Sequence, residues 1–399
     1  MKEHLKPEFV NVPEALIEAL VTSLKKTLVP ELKTDAYSLN VLRSLKIDER
    51  VVVDLVLPSF GLRSEKNIAL AVKKALVSHI ANADLIDLNI YSDVKPSATQ
   101  SIKTKDIADV RNIILVASGK GGVGKSTVAS NLSVAMASLG LRVGLLDADV
   151  YGPSIPVMFG LLGDAEVKGF TKEDSKITYM IPPIKYDVSL MSIGFLIDSD
   201  APMIWRGPMI ASASMQMFHN VFWGQLDYLI VDLPPGTGDI QLTIAQKINV
   251  SGAIIVSTPQ DVALKDVVRA KKMFDKVNIP NIGLIENMSY FICDSCDKRH
   301  EIFSSQGAKR QAEILDLPIL GELPLISSIR QGSDNGIPFL ASPEDHPIKK
   351  HFIDIAHDVV AKVTSMAIND ETRDNVSLNQ IKNPKNSEIP EKKRRLPLI

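Results

Sequence analysis

Ser118-Gly119-Lys120-Gly121-Gly122-Val123-Gly124-Lys125-Ser126-Thr127 is the stretch that decides how the rest of this chain is read. Gly119, Gly124, Lys125 and Ser126 satisfy the spacing G-x-x-x-x-G-K-[ST] of a phosphate-binding loop. Glycines let the backbone take positive φ and turn its N–H groups onto phosphate oxygens, with no Cβ in the way. A helix starting near Lys125 aims its positive end at the same anion. By this chemistry Lys125 reaches the β- and γ-phosphates, and the Ser126 hydroxyl ligates Mg²⁺. Gly121, Gly122, Val123 and Thr127 complete the set that surrounds a nucleotide.

The flanks agree with the loop. Residues 113–117 are an unbroken apolar run, as in a buried parallel strand. After the loop, Val128, Leu132, Ala135 and Leu139 recur at helical spacing, and Gly140 supplies a stop. Further apolar runs at 143–146, 188–193, 228–233, 253–258, 282–286 and 319–323 alternate with helical patterns. The expected architecture is an α/β phosphate-loop NTPase, its mostly parallel sheet covered by helices on both faces. It spans 108–366 and closes on a helix from Pro347 to Met366.

Before it, residues 1–95 read as a small α+β domain. A helix from Pro13 to Leu28 comes first, then strands at 37–45 and 51–57, a helix at 64–79 and a strand at 85–91. Residues 96–107 read as a linker, and 367–399 as a disordered tail carrying the basic run Lys392-Lys393-Arg394-Arg395. The 399 residues are 45% apolar and 23% charged, with net charge -2, so neither nucleic acid nor a membrane surface is expected as a partner. No run approaches the roughly 18 apolar residues of a membrane span, and the first residues lack a signal-peptide core. A cytoplasmic protein is expected. Cys293 and Cys296 are the only cysteines, which excludes a disulfide framework.

Two carboxylates, Asp147 and Asp149, end the second core strand, at the edge where such sheets bind ligands. One can hold Mg²⁺ through water while the other orients the attacking water. Asp232 ends the apolar run Tyr228-Leu229-Ile230-Val231 and is the expected Mg²⁺-side carboxylate. It runs into Leu233-Pro234-Pro235-Gly236-Thr237-Gly238-Asp239, a glycine-jointed loop suited to sensing a γ-phosphate. A guanine-reading N-K-x-D motif is absent, which favours ATP.

A second lysine, Lys120, lies early in the loop. Together with Asp147-Ala148-Asp149-Val150-Tyr151-Gly152-Pro153-Ser154, Trp205-Arg206-Gly207-Pro208, the 232–239 loop and Asn287-Met288-Ser289 before a C-x-x-C, it resembles the Mrp/ApbC family. These are iron–sulfur cluster carrier ATPases, related to the Min, Par and nitrogenase iron proteins, and the likeness runs from about 106 to 347. The resemblance implies that Lys120 reaches across a homodimer interface, Asp149 positions water, Asp232 serves Mg²⁺ and Asn287 recognises adenine. It also implies delivery from an upstream scaffold to apo iron–sulfur proteins. The N-terminal domain resembles the accessory domain often fused to this family, but departs from it. Val29-Pro30-Glu31 replaces Asp-Pro-Glu, and Pro58-Ser59-Phe60-Gly61-Leu62 lacks the usual cysteine.

Cys293 and Cys296, three apart in a loop, can both bind one metal or cluster. A zinc half-site, a redox pair and two buried thiols are the alternatives; Asp294 and Asp297 oppose the thiolate a redox pair needs. His300 is a possible third ligand. A cluster wants four ligands, and a two-fold dimer doubles two thiolates to four. A cluster shared by two subunits, of the 4Fe-4S type, is therefore the leading expectation, with zinc as the competing occupant. A positioning or partitioning ATPase is the alternative function.

Overall fold

Apolar runs long enough to be covered on both faces pair side by side in this chain, and seven of them make one parallel sheet. The computed structural model describes residues 7–80, 82–97, 107, 109–150, 152–163, 167–171, 178–196, 207–293, 295–296, 298–303, 307–377 and 393–395. The backbone divides into two units, Met1–Lys95 with Val360–Ile399, and Pro96–Val359.

The first unit contains strand β1 (Glu8–Val10), helix α1 (Glu14–Lys26), strands β2 (Leu42–Ile47) and β3 (Val51–Leu57), helix α2 (Glu65–Val77) and strand β4 (Ile86–Ser92). The sheet runs in that strand order, with β1 parallel to β2, β2 antiparallel to β3, and β3 parallel to β4. In α1, Leu16, Leu20 and Leu24 are buried at every fourth position, and Lys25 and Lys26 suit the negative C-terminal end. The strand expected from residue 37 begins only at Leu42. The Asp35 carboxylate accepts the Ser38 N–H (2.8 Å) and hydroxyl (2.7 Å), a local turn that competes with extended backbone.

The C-terminal segment also differs from expectation. Its helix runs Lys349–Ser377, past the boundary set at Met366, and Lys393–Arg395 forms a strand antiparallel to β4, with Arg394 opposite Ile90. An edge strand leaves backbone donors and acceptors open, and three extended residues suffice to pair them. The other tail residues lie outside the described set.

In the second unit, β5 (Val110–Ala117), α3 (Lys125–Ser138), β6 (Val143–Asp147), β7 (Val188–Ser192), β8 (Leu226–Asp232), β9 (Gly252–Ser257), β10 (Asn281–Glu286) and, after a short hairpin, the strand Ile319–Glu322 carry the fold. The sheet order is β7-β6-β8-β5-β9-β10 followed by Ile319–Glu322, all parallel, with Ile184–Lys185 antiparallel on the β7 edge. Every residue of β8 is buried, so both faces of the sheet are covered. Helix α3 is buried almost all round. Its polar positions find partners within the helix, as where Ser133 Oγ donates to the Ala129 carbonyl at 2.8 Å, or beyond it, as where Asn131 Oδ1 accepts the Leu340 N–H at 2.9 Å. The described ends of the expected linker pack on this unit, since the Ser97 N–H donates to Asn112 Oδ1 (3.0 Å) and Ile107 is buried. Residues 98–106 lie outside the described set.

Candidate nucleotide and metal-ligand sites

β5 ends at Ala117, and the chain turns through the phosphate loop into α3 at Lys125. Gly122 (φ 78°) and Gly124 (φ 77°) take the left-handed backbone that glycine tolerates and that turns N–H groups inward. A Cβ on Gly119 would stand 2.1 Å from the Asp266 Cβ, so close approach demands glycine there as well. The loop from Lys120 to Thr127, with Asp149, Ser154 and Pro235, lines one cleft.

Lys125 is buried, and its ammonium lies 2.5 Å from Asp232 Oδ1 and 3.3 Å from Ser126 Oγ. Asp232 is fully buried, and its Oδ2 has no hydrogen-bond partner among the described residues. A buried carboxylate oxygen left unpaired is costly, and a hydrated divalent cation satisfies it. Ser126 and Asp232, both against the same ammonium, therefore fit the Mg²⁺ role.

The two carboxylates of β6 separate in kind. Asp147 is fully buried and lies opposite Asp232 in the parallel register. Its Oδ1 accepts the Asp149 N–H (3.1 Å), while Oδ2 accepts the Ile155 N–H (3.2 Å) and the Ser192 hydroxyl (3.0 Å). It thus shapes the loop that presents Asp149 to the cleft. Burial, with the Asp232 charge beside it, pushes the Asp147 carboxyl up to about 7, against the N–H donors and Lys125.

The loop after β8 rests on the phosphate loop, where the Gly236 N–H donates to the Ser118 carbonyl at 2.9 Å. Gln241, buried at the start of the next helix, donates to the Pro234 and Pro235 carbonyls at 3.0 Å each. Nothing local in the sequence marks Gln241, because its partners are backbone atoms that only the folded loop brings near. Lys120 donates to Gln260 Oε1 of its own chain at 2.9 Å. Asn287, expected at adenine, donates from Nδ2 to the Val123 carbonyl at 2.9 Å, so it sits on the phosphate loop itself.

Cys293 and Cys296 occupy the turn of a hairpin between β11 (Phe291–Ile292) and β12 (Arg299–His300). The Cys293 N–H donates to the Lys298 carbonyl (3.1 Å), and the Cys296 N–H to the Cys293 carbonyl (3.3 Å). Both thiols therefore leave one tight turn, Cys293 half-buried and Cys296 exposed, with no disulfide among the described residues. No three His, Cys, Asp or Glu side chains gather into a metal-holding group among the described residues, and exposed His300 has its ring beside Phe291. Asp294 and Asp297 lie outside the described set, as do Tyr151, Trp205 and Arg206.

Phosphate loop, buried carboxylates and strand order define a P-loop NTPase. The chain belongs to the ParA family of NUBPL-type iron-transfer P-loop NTPases, whose model matches residues 109–360. The mouse iron-sulfur cluster transfer protein NUBPL is 49% identical over 265 residues, covering 66% of this chain and 81% of that one. The Escherichia coli K12 iron-sulfur cluster carrier protein is 40% identical over 353 residues, covering 88% and 93%. A nucleotide-binding protein from Archaeoglobus fulgidus, solved in complex with ADP, is 37% identical with a TM-score of 0.51, covering 59% of this chain and 91% of its own.

Two tests follow from this geometry. Lys125→Ala removes a charged donor of the kind that contributes about 1.5–3 kcal/mol, so ADP affinity should drop roughly 10- to 150-fold by calorimetry. Affinity within a few-fold of the parent would remove Lys125 from the phosphate site. The Asp147 carboxyl ionises near 3.8 when unfolded and near 7 when folded, so the folded state holds more protons between those values. The stability this group contributes is present below about 3.8 and is lost as pH rises through about 7. Without nucleotide, the Tm of Asp147→Asn relative to the parent should therefore climb from pH 5 to pH 8; a constant or falling difference would contradict the assignment.

Proposed function

We propose that this chain is an ATP-dependent iron–sulfur cluster carrier, taking a cluster from an upstream scaffold and passing it to apo-proteins. The observation that carries this reading is the two-thiol turn at Cys293 and Cys296, lacking a third ligand among the described residues, in a chain with a full phosphate loop. Two thiolates are half a cluster's complement, so two copies of the chain supply the four, with the 4Fe-4S cargo between them. The names of the mouse and Escherichia coli relatives support the cargo assignment.

The chemistry divides in two. ATP and water become ADP and phosphate, with Lys125 on the β- and γ-phosphates and Asp149 orienting water from the loop that Asp147 holds. Ser126 and Asp232 would hold Mg²⁺, which when bound would supply charge neutralisation. Cluster transfer is exchange of thiolate ligands at iron and moves no net electrons. Lys120, paired with Gln260 in the single chain, is the residue that reaches the second subunit's nucleotide in this reading.

The positioning-ATPase alternative calls for an unburied amphipathic C-terminal helix. Here Phe352, Ile355, Val359 and Val363 of the last helix are all buried, which favours the carrier. The first unit acts as a scaffold or docking module. Ser59 is fully buried with its hydroxyl on the Phe60 carbonyl, and Glu31 accepts the Ser64 N–H and hydroxyl at the head of α2. No helix among the described residues is long and apolar enough to cross a membrane.

Asp149→Asn should keep ADP affinity within a few-fold while ATP turnover falls, because it removes a water-orienting group and no phosphate contact. Turnover at the parental rate would reject that role. For the cargo, anaerobic reconstitution with iron and sulfide should load the parent dimer and leave Cys293→Ala and Cys296→Ala without a persistent cluster. Iron and sulfide counts per dimer decide it, with light scattering for the oligomeric state and ADP binding as the folding control. A cluster held by a monomer, or retained by either variant, would overturn the shared-ligand model, and a parent that loads only zinc would overturn the carrier reading.

A further inference from the structure

The Val123 carbonyl and the Gly124 N–H belong to one rigid peptide plane and point in opposite directions within it. In a phosphate loop the N–H groups are the side that turns toward phosphate. On the other side, Val123 O accepts the Asn287 amide at 2.9 Å, from a residue that is 7% exposed. The packing is close, since a Cβ on Gly124 would lie 2.2 Å from Asn287 Nδ2 and 3.7 Å from Met288 Cε. A rotation of this peptide that aims its N–H at a phosphate must move the carbonyl that Asn287 holds.

From Asn287 the chain reaches Cys293 in six positions. The strap between them is laced to its neighbours by the main chain. The Asn287 N–H donates to the Ser257 carbonyl (2.8 Å), Ser289 N–H to Leu323 (2.8 Å), and Leu325 N–H to the Tyr290 carbonyl (2.7 Å). Met288, between them, sits at φ 54°, a conformation a bulky residue keeps only where its surroundings enforce it. Tyr290 then carries the Arg299 guanidinium 3.8 Å above its ring, and Arg299 lies opposite Ile292 in the cysteine hairpin. A strap fixed at Asn287, Ser289 and Tyr290 does not absorb a displacement locally; it passes it on.

We infer that Asn287 is a positioning residue that couples the phosphate loop to the cysteine turn, so that nucleotide binding alters the presentation of Cys293 and Cys296. This rests on the reading of those thiols as the cargo ligands, and it names how the cargo site is regulated. Asn287 acts through Val123 at one end and through the hairpin at the other, and touches neither phosphate nor cargo in this role.

The test reads the thiols directly. Alkylation of Cys293 and Cys296 by iodoacetamide is followed by peptide mass spectrometry, with and without ADP or a non-hydrolysable ATP analogue. The full chain is compared with Asn287→Ala and Asn287→Asp, each at nucleotide concentrations that saturate that protein. Asn287→Asp keeps the shape and sets a carboxylate oxygen against the Val123 carbonyl; a melting curve for each variant shows that it is folded. In the parent, nucleotide should change the alkylation rate about fivefold or more, the low end of coupling between sites. In either folded variant the change should vanish at saturation. A parent whose thiols ignore nucleotide would overturn the proposal, as would variants that keep the parental change. In the latter case, weakened affinity alone would mark Asn287 as an adenine contact. A parent that takes up no iron on reconstitution but shows the nucleotide effect would sink the cargo reading and leave the coupling standing.

Discussion

The pairing of Lys125 with Asp232 is the constraint around which the second unit is arranged. Both side chains are buried, and a buried charge survives only with an opposite charge or a full set of hydrogen bonds. The pair forms because β5 and β8 are neighbours in the sheet, so the phosphate loop after one strand opens beside the carboxylate that ends the other. Asp147 enters the same region one strand further out, in register with Asp232. Burial first, and then the Asp232 charge beside it, raise the Asp147 pKa, since one ammonium does not balance two carboxylates. Asp147 remains useful through its acceptors, which hold the loop carrying Asp149 whether or not its own proton is present.

Much of this was legible in the sequence because the signals were local. The phosphate loop is ten consecutive residues, the strands are unbroken apolar runs, and the carboxylates close two of those runs. Strand boundaries moved by a residue or a few, as where the run expected at 228–233 became Leu226–Asp232. What stayed hidden depends on partners distant in sequence. Gln241 grips two proline carbonyls, Ser192 holds Asp147, and Asn287 binds a carbonyl 164 residues away. In each, the chemistry of the side chain is common and only the fold supplies its partner.

The wrong expectations have equally particular causes. Residues 37–41 looked extended by composition, yet Asp35 and Ser38 offered the backbone a turn. The polar tail lacked apolar residues to bury, which suggested disorder; most of it lies outside the described set, and at 393–395 pairing at a sheet edge satisfies backbone groups and needs little from side chains. The residues alone left the roles of Asp147 and Asp149 open, and only the resemblance gave the water to Asp149; in the fold one is fully buried and the other lines the cleft.

The division of ligands has a thermodynamic logic for the proposed carrier. A site with all four thiolates on one chain would hold its cargo independently of nucleotide and of association. On the proposed reading, two thiolates per chain make cargo affinity depend on the dimer, and the inferred coupling through Asn287 makes it depend on the phosphate loop. Linkage is reciprocal: if nucleotide changes the affinity for cargo, cargo changes the affinity for nucleotide by the same factor. Hydrolysis can then alternate the chain between a holding and a releasing state without any residue serving both sites. The geometry suits that arrangement, since the Asn287 amide, six positions before the first thiol, reaches a carbonyl of the loop that meets phosphate.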